Sequence, residues 1–343
     1  MAQINKPTDY FNTKLYTGNG STQSITGVGF QPDWTWIKGR SVAYGHSVYD
    51  VIRGAGYRLE PNTTNGEGTY TSFVSFDSDG FSLGSGAAVN ENTQTFASWN
   101  WLASNTTASN TDGSITTTIS ANQTSGFSII SYTGNATSGA TIGHGLNAVP
   151  KIIFVKKRDN TVENWAVGIQ EITGVSNDSL WLNLTNGSSA VSSWWNSTSP
   201  TTSLITLGNG GGVNDNGSDY IAYCFADVKG FSKFGSYTGN GSTDGTFVYT
   251  GFKPAFVMIK RSSDTEGWWM QDNKRTGFNP SNDRLEANAS GAESDLNSID
   301  ILSNGFKCRQ TYNGINASGS TYIYMAFAES PLVGTNNTPA TAR

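Results

Sequence analysis

The chain has few of the residues on which most enzymes and metal proteins depend. Its 343 residues include only two histidines and two cysteines, and charged residues make up 14% of the total. The sequence contains no His/Cys spacing typical of zinc sites and no Gly-X-Ser-X-Gly nucleophile turn. Cys224 and Cys308 lie in different units of the chain, and two such cysteines do not make a disulfide framework, so we expect free thiols. The sequence therefore predicts no catalytic residue, no metal site and no cofactor.

Positive charge and long apolar segments are also scarce. The formal net charge is −5 and the isoelectric point is near 5.1, which argues against a nucleic-acid partner because such proteins need a basic face. No apolar run approaches the length of a membrane span. The first residues carry no hydrophobic signal region, which predicts that this chain folds in a reducing cytoplasm.

Glycine and aromatic residues, by contrast, are abundant. The chain has 40 glycines, and aromatic residues make up 12% of it. Short alternating apolar segments are separated by frequent turn signals, such as Asp79-Gly80 and Asn304-Gly305. No helical period is sustained over three turns. This pattern predicts an all-β protein.

One motif, Tyr-Thr-Gly-Asn, occurs three times, beginning at Tyr16, Tyr132 and Tyr237. Each copy leads into an apolar strand with a basic end: Phe30–Arg40, Val149–Arg158 and Phe252–Arg261. A sequence period of this length indicates repeated structural units. We predict three tandem antiparallel β-sandwiches of jelly-roll or lectin-like type, at residues 9–103, 126–227 and 230–330. A Ser/Thr/Asn-rich linker at 104–125, with a possible edge strand, and a flexible tail at 331–343 complete the organisation.

Each repeat ends on a strand rich in aromatic or large apolar residues. In a half-buried strand, residues two apart share a face. We therefore expect three pairs of side chains to occupy equivalent buried positions: Trp99 with Trp101, Tyr223 with Phe225, and Met325 with Phe327.

The segments that follow the basic strand ends are the candidate binding sites. Residues 40–53, 158–171 and 261–275 should emerge at the same end of each repeat, where aromatic, arginine and acidic side chains could stack on and hydrogen-bond to sugar rings. Aromatic residues that only anchor these loops would fit the same pattern. The candidate glycan- or partner-binding residues are Arg40, His46, Tyr49, Asp50, Arg53, Trp165, Trp268, Trp269 and Arg275.

Other polar motifs have a structural interpretation beside a functional one. His46 and Asp50 could form a base with its orienting acid, but the other repeats do not keep the histidine. Asp77–Gly80 resembles part of a calcium loop, although turn chemistry accounts for it better. Arg58-Leu59-Glu60 and Arg284-Leu285-Glu286 could bind a ligand or form surface ion pairs.

The opening segment Ile4–Arg40, together with His46, Asp50, Arg53-Gly54 and the turn at Asp77–Phe81, resembles a family of tailed-bacteriophage proteins found especially in marine phages. Members are described as virion structural or tail-fibre-like proteins, and their biochemistry is largely undefined. The resemblance implies that the chain is assembled in the host cytoplasm, becomes part of the virion and binds other virion proteins of the tail or capsid.

These observations together favour a non-enzymatic virion structural protein, displayed on the tail as a fibre or adhesin that contacts host surface glycans. A capsid decoration or head-fibre protein is the first alternative, and a glycan-degrading enzyme is the second. Association of several copies into a homo-oligomer is compatible with either structural role. The sequence leaves open the position on the particle, the glycan and the host.

Overall fold

The three repeats are built from corresponding strands. The computed structural model describes residues 2–159, 162–276, 278–334 and 339–341. The first repeat contains β1 (Phe11–Thr17), β2 (Gln23–Thr26), β3 (Trp34–Gly39), β4 (Ser47–Asp50), β5 (Tyr57–Arg58), β6 (Gly68–Thr69), β7 (Phe73–Asp77), β8 (Gly80–Leu83) and β9 (Thr95–Trp101). A short 3-10 helix at Pro7–Asp9 precedes β1, and helix α1 (Ala87–Asn90) precedes β9.

The second and third repeats follow the same plan. The linker before the second repeat contains β10 (Ala108–Asn110) and β11 (Thr117–Asn122). The second repeat contains β12 (Phe127–Thr133), β13 (Thr141–Gly143), β14 (Ile152–Lys157), β15 (Ala166–Gly168), β16 (Asp178–Trp181), β17 (Ser189–Ala190), β18 (Leu204–Thr206) and β19 (Asp219–Phe225), with helices α2 (Gln170–Thr173), α3 (Ser192–Trp195) and α4 (Gly211–Asn214). The third contains β20 (Ser232–Thr238), β21 (Phe247–Tyr249), β22 (Phe252–Arg261), β23 (Trp268–Asp272), β24 (Ser281–Glu286), β25 (Ser294–Leu302), β26 (Gly305–Cys308) and β27 (Thr321–Pro331).

One antiparallel sheet order recurs in all three repeats. The inner sheet runs β1-β9-β3-β4 in the first repeat, β12-β19-β14-β15 in the second and β20-β27-β22-β23 in the third. A second layer pairs β2 with β8, β13 with β18, and β21 with β26. The prediction of an all-β, sandwich-like fold is thus confirmed.

Each inner sheet is buried on both faces. One face packs on the outer layer of its own repeat, in a separate apolar cluster for each repeat. The other face meets the inner sheets of the other two repeats in one central core. Every residue of β3 and of β14 is consequently buried, which explains why Ile152-Ile153-Phe154-Val155 is continuously apolar rather than alternating.

Aromatic side chains from all three repeats fill the central core. The ring of Trp34 lies 4.5 Å from Trp101 in its own repeat and 4.7 Å from Tyr223 in the second. Phe225 lies 5.8 Å from Phe327 of the third repeat. The six side chains predicted to share buried positions in the last strands are all buried in this core. The hydrophobic effect therefore acts between the repeats as well as inside them.

The segment between the first two repeats is structured. β10 and β11 extend the inner sheet of the second repeat beyond β12. Between these two strands, Ile115 forms a parallel bridge with Ile142 of β13. The tail was predicted to be flexible. Within it, Leu332 N–H donates to Gly251 at 3.3 Å and Ala340 N–H to Leu332 at 2.8 Å, while residues 335–338 and 342–343 lie outside the described part.

Candidate functional site

The predicted binding residues lie inside the molecule, where the repeats meet. Eight of the nine are buried, and only Arg40 is partly exposed. Tyr49 and Trp269 point into the cores of their own repeats. Trp165 and Trp268 belong to the central core. A sugar ring cannot stack on a covered aromatic face. The structure therefore places these side chains between protein surfaces, and their binding of a glycan or partner stays a prediction.

Strand register identifies one position that has the same role in every repeat. Val48 pairs with Trp36, Val167 with Phe154, and Met270 with Met258. His46 precedes Val48 by two residues, Trp165 precedes Val167 by two, and Trp268 precedes Met270 by two. The histidine of the first repeat therefore corresponds to the tryptophans of the other two.

All three side chains at this position reach a backbone carbonyl of a neighbouring repeat. Trp165 Nε1 donates to Glu60 at 3.1 Å, and Trp268 Nε1 donates to Trp181 at 2.9 Å. His46 Nε2 lies 2.9 Å from the carbonyl of Glu286. The second repeat thus contacts the first, the third contacts the second, and the first contacts the third. These bonds close the three repeats into a cycle.

The tautomer of His46 follows from its two contacts. Trp36 Nε1 can only donate, and it lies 2.7 Å from His46 Nδ1. Nδ1 must therefore accept, which leaves the proton on Nε2 to be donated to Glu286. Burial, helped by the nearby charge of Lys38, lowers the pKa of His46 to about 3. A neutral, fully hydrogen-bonded imidazole of this kind is a structural contact rather than a general base.

An asparagine fixes each of these loops. The backbone N–H of His46 donates to Asn62 Oδ1, that of Trp165 to Asn183 and that of Trp268 to Asn288, at 2.7, 2.9 and 2.7 Å. Asparagine oxygen commonly satisfies backbone donors of this type. The three loops are therefore held by the same bond in each repeat.

A buried ion pair lies beside this position in the first and third repeats. Arg53 Nε donates to Asp50 at 2.6 Å, and Arg275 Nε donates to Asp272 at 2.6 Å. Each carboxylate also accepts a bond from the last strand of another repeat. Tyr223 donates its hydroxyl proton to Asp50 at 2.7 Å. These groups are all buried, so each charge depends on its partners.

The corresponding donor to Asp272 is Trp99 Nε1, at 3.0 Å. Burial alone would raise the pKa of Asp272, but the charge and hydrogen bonds of Arg275 outweigh it and lower that pKa. For Arg53, burial acts to lower the pKa, but the charge of Asp50 prevails and raises it. Both directions favour the charged forms of Arg53 and Asp272.

A glutamate continues each ion pair across the interface. Glu67 accepts from Arg53 at 3.2 Å and from Arg158 of the second repeat at 3.1 Å. Glu293 accepts from Arg275 at 3.1 Å and from Arg40 of the first repeat at 2.7 Å. Arg40 and Arg158 are the basic strand ends that the sequence singled out. Their charges join two repeats instead of meeting a ligand.

The second repeat lacks these charges. By strand register, Ile169 stands in place of the aspartate and Ile172 in place of the arginine. Met325 of the third repeat stands in place of Tyr223 and Trp99, which bind the aspartates of the other two interfaces. Ser188 and Ser262 take the places of the glutamate and the partner arginine. Their backbone bond remains, from Ser188 N–H to Ser262 at 2.7 Å.

Three equivalent lysines lie at the end of the central core. Lys156 Nζ donates to the carbonyl of Thr64 at 2.9 Å, and Lys260 Nζ to that of Thr185 at 3.0 Å, each in a neighbouring repeat. Lys38 Nζ donates to Gly39 at 2.8 Å. Burial lowers the pKa of all three to about 8. The switch from aromatic to lysine along these strands marks the edge of the core.

The remaining polar motifs and the cysteines have structural roles. Asp79 accepts backbone N–H bonds from Gly27 and Gly29 at 2.9 and 2.7 Å, and these bonds lower its pKa. Across the described ranges, no group of three or more His, Cys, Asp or Glu side chains is placed to hold a metal ion. Cys224 and Cys308 are free and buried, and burial raises the pKa of Cys224 above its ordinary value.

Sequence reasoning did not single out the partners Tyr223 and Trp99 as polar contacts, nor Glu67, Glu293 and Arg158 as bridging residues. Alignment of the repeats by strand register would have found them, because the last strand of one repeat faces the same loop of another each time. Residue type instead groups Tyr49 with Trp165, Trp268 and Trp269 as candidate binding residues. The site is therefore a set of interfaces between repeats.

Comparison with known proteins identifies one family. The family model described as "Domain of unknown function (DUF7483)" matches residues 6–331. No curated protein and no solved structure matches the chain significantly. In the described part of the chain, no helix is long and apolar enough to cross a membrane.

Proposed function

The chain belongs to the DUF7483 family, and we propose that it is a non-enzymatic structural protein of a tailed-phage particle, displayed on the tail where it contacts host surface glycans. One observation carries the proposal. The side chains that could have served chemistry are used to join three repeats into one cycle. A protein whose reactive groups hold its own repeats together has an architectural role.

The central core gives this body the rigidity that an extracellular particle needs. Aromatic residues of three repeats pack in one cluster, so no repeat can leave without exposing them to water. The two charged interfaces add hydrogen bonds that are buried from solvent. Resistance to separation of this kind suits a component that is exposed to the environment on a virion.

Capsid decoration is the second candidate, and one surface favours it. Strand β21 lies at the edge of its sheet, and Phe247 and Tyr249 are exposed on its outer side. In the corresponding edge of the first repeat, Ser24 and Thr26 stand at these positions. Exposed aromatic residues on a free edge are a common means of attachment to another protein. In the capsid-decoration role, this edge would attach the protein to the capsid shell.

Quantitative mass spectrometry of purified virions tests the proposal. We expect the protein in every particle, at a few copies or about a dozen for a tail position. Hundreds of copies, in proportion to the major capsid protein, would favour decoration. Absence from washed particles would contradict both roles. Release of reducing ends from host polysaccharide by the purified protein, lost on mutation of an acidic side chain, would favour the enzyme instead.

A further inference from the structure

Two equivalent clefts lie on the outside of the cycle, next to the two charged interfaces. In the first repeat a cavity of about 300 Å³ is lined by Arg58, Glu60 and Asn65. In the third repeat a cavity of about 160 Å³ is lined by Arg284, Glu286 and Ser294, with small residues between them. The strand register places the two Arg-Leu-Glu segments at the same position. A cleft that recurs with the same charged pair calls for an explanation.

The fold itself does not require the arginine and the glutamate. The leucine between them is buried in the central core in all three repeats, as Leu59, Leu180 and Leu285. The charged residues, however, are replaced by Ser179 and Trp181 in the second repeat. There the space is occupied by indole rings, with Trp181 5.5 Å from Trp194. The second repeat folds in the same way without the pair.

Stability alone does not account for the pair either. Arg58 and Glu60 are 3.1 Å apart and Arg284 and Glu286 are 3.3 Å apart, with all four side chains 21–25% exposed. Ion pairs with partial exposure contribute about 0–1 kcal/mol. Their retention in two repeats therefore points to a role at the surface of the cleft.

The four side chains are held in fixed positions. The guanidinium of Arg58 lies over the ring of Tyr70, and that of Arg284 over Trp269, each 4.4 Å from the ring centroid. Arg284 Nε also donates to Ser294 at 3.2 Å. Binding a ligand to groups that are already ordered costs little conformational entropy.

Glycines leave room for the carboxylates. A Cβ at Gly267 would lie 2.4 Å from Glu286 Oε2, and one at Gly45 would lie 3.2 Å from Glu60 Oε1. The second repeat has Asn164 at this position. The small residue and the glutamate thus occur together in the two repeats that have a cleft.

The chemistry of the clefts selects a neutral ligand rich in hydroxyl groups. A guanidinium only donates and a carboxylate only accepts, so a pair of them satisfies a hydroxyl that does both. Glu67 also faces the first cleft, and its negative charge beside Glu60 disfavours anions. The arginine disfavours cations. Burial raises the pKa of Glu286 above its ordinary value.

We infer that the two Arg-Leu-Glu clefts bind neutral saccharides through adjacent hydroxyl groups, at two sites per chain. This inference rests on the proposed function in one respect, because it identifies the clefts as the place where a host glycan would bind. The second repeat has no such site.

Saturation-transfer NMR with the purified protein tests the inference. The probes are maltose, cellobiose and lactose, with glucuronate as an anionic control. We expect signals from at least one of the neutral disaccharides and weaker ones from glucuronate. Glu60→Gln and Glu286→Gln should each remove part of the signal, and the double variant should abolish it. Asp300→Asn, which breaks the ion pair with Arg309 elsewhere on the third repeat, should leave the signal unchanged.

The result is independent of the position on the virion. If the purified protein binds a disaccharide, saccharide binding in the clefts is supported even when the protein is absent from particles. If the protein is present in particles but binds none of the three disaccharides, only saccharide binding in the clefts is overturned. Persistence of the signal in a folded double variant would also overturn them, as would a stronger response to glucuronate. Chemical shifts of the amide protons would show that each variant is folded.

Discussion

The interface between the first and second repeats and the interface between the second and third share one backbone geometry but differ in chemistry. Glu67 N–H donates to Arg158 at 2.7 Å in one, and Ser188 N–H donates to Ser262 at 2.7 Å in the other. The first carries a network of four charged groups, of which Asp50 and Arg53 are buried, whereas the second has neutral residues at these positions. Backbone and indole contacts therefore determine the geometry, and the charges are added to it.

Chain connectivity offers a reason for the difference. The second and third repeats are joined by the short connection Val228-Lys229-Gly230, so the entropy cost of bringing these two repeats together is small. The third–first interface, by contrast, joins Arg40 to Glu293, 253 positions away. A buried charge that fits only one partner can specify which surfaces meet. We propose that the charged residues ensure correct pairing of the repeats at the interfaces where a short chain connection does not.

The largest expected effect comes from breaking one charged network. Arg53→Ala leaves the buried carboxylate of Asp50 with the Tyr223 hydroxyl but without its ion pair. Removal of one partner from a buried ion pair costs about 3–5 kcal/mol. Urea denaturation should show this loss in the free energy of unfolding.

The matched change at the neutral interface is Ile172→Ala. It removes apolar contact from a partly buried side chain but strands no charge, so its cost should be clearly smaller. Equal losses in the free energy of unfolding for Arg53→Ala and Ile172→Ala would show that breaking the ion pair costs no more than removing apolar contact. The two interfaces would then not differ in this respect.

A smaller effect should appear on acidification at the third–first interface. The pKa of His46 is about 3 in the folded protein and near 6.5 when unfolded. The unfolded state therefore takes up a proton first, and stability falls as the pH drops below 6.5, until the folded pKa is reached. At pH 5 the loss relative to pH 8 is about 2 kcal/mol.

The comparison for this prediction is His46→Gln, which removes the titration and keeps a polar side chain. Its free energy of unfolding, measured by urea denaturation at pH 8 and pH 5, should decline less than that of the native protein. Asp33 acts in the opposite direction, because burial raises its pKa to about 6 and its protonation favours folding as the pH drops. Since Asp33 is present in both proteins, it cancels in the difference. Identical pH dependence would exclude His46 as the cause.

The sequence predicted those parts of the fold that depend on local pattern. Alternation and turn residues gave the all-β class, and the recurring Tyr-Thr-Gly-Asn motif identified the repetition. The burial of Trp101, Phe225 and Phe327 followed from their shared strand position. These features depend on residues close together in the chain, so they can be recognised without knowing which surfaces meet.

The candidate site could not be predicted because its contacts join distant residues. Tyr223 and Asp50 are 173 positions apart, and nothing local indicates that they meet. Aromatic, arginine and aspartate side chains occur together in sugar sites and also in polar interfaces between repeats. The correspondence of His46 with Trp165 depends on strand register, which sequence chemistry alone does not give. The arrangement of the three repeats in a cycle is needed to distinguish a sugar site from an interface between repeats.

The smallest expected effect, and the sharpest test of the comparison, is conversion of the charged interface into the neutral one. The triple variant Asp50→Ile, Arg53→Ile, Tyr223→Met copies Ile169, Ile172 and Met325 into the first–second interface. Replacement of a buried ion pair by apolar residues of similar volume is often neutral or stabilising by about 1–4 kcal/mol. Arg53 also donates to the carbonyls of Val48 and Tyr57, however, and these bonds are lost.

The triple variant should therefore be close in stability to the native protein and more stable than Arg53→Ala by about 3 kcal/mol or more. Urea denaturation gives the free energy, and the dispersion of amide shifts in NMR shows whether one packing is retained. A triple variant as unstable as Arg53→Ala would mean that the charges themselves hold the interface. A stable variant with several packings would instead support a role in specifying which repeats meet. In that case the charged interfaces are retained for correct assembly of the cycle, at no gain in stability over the neutral one.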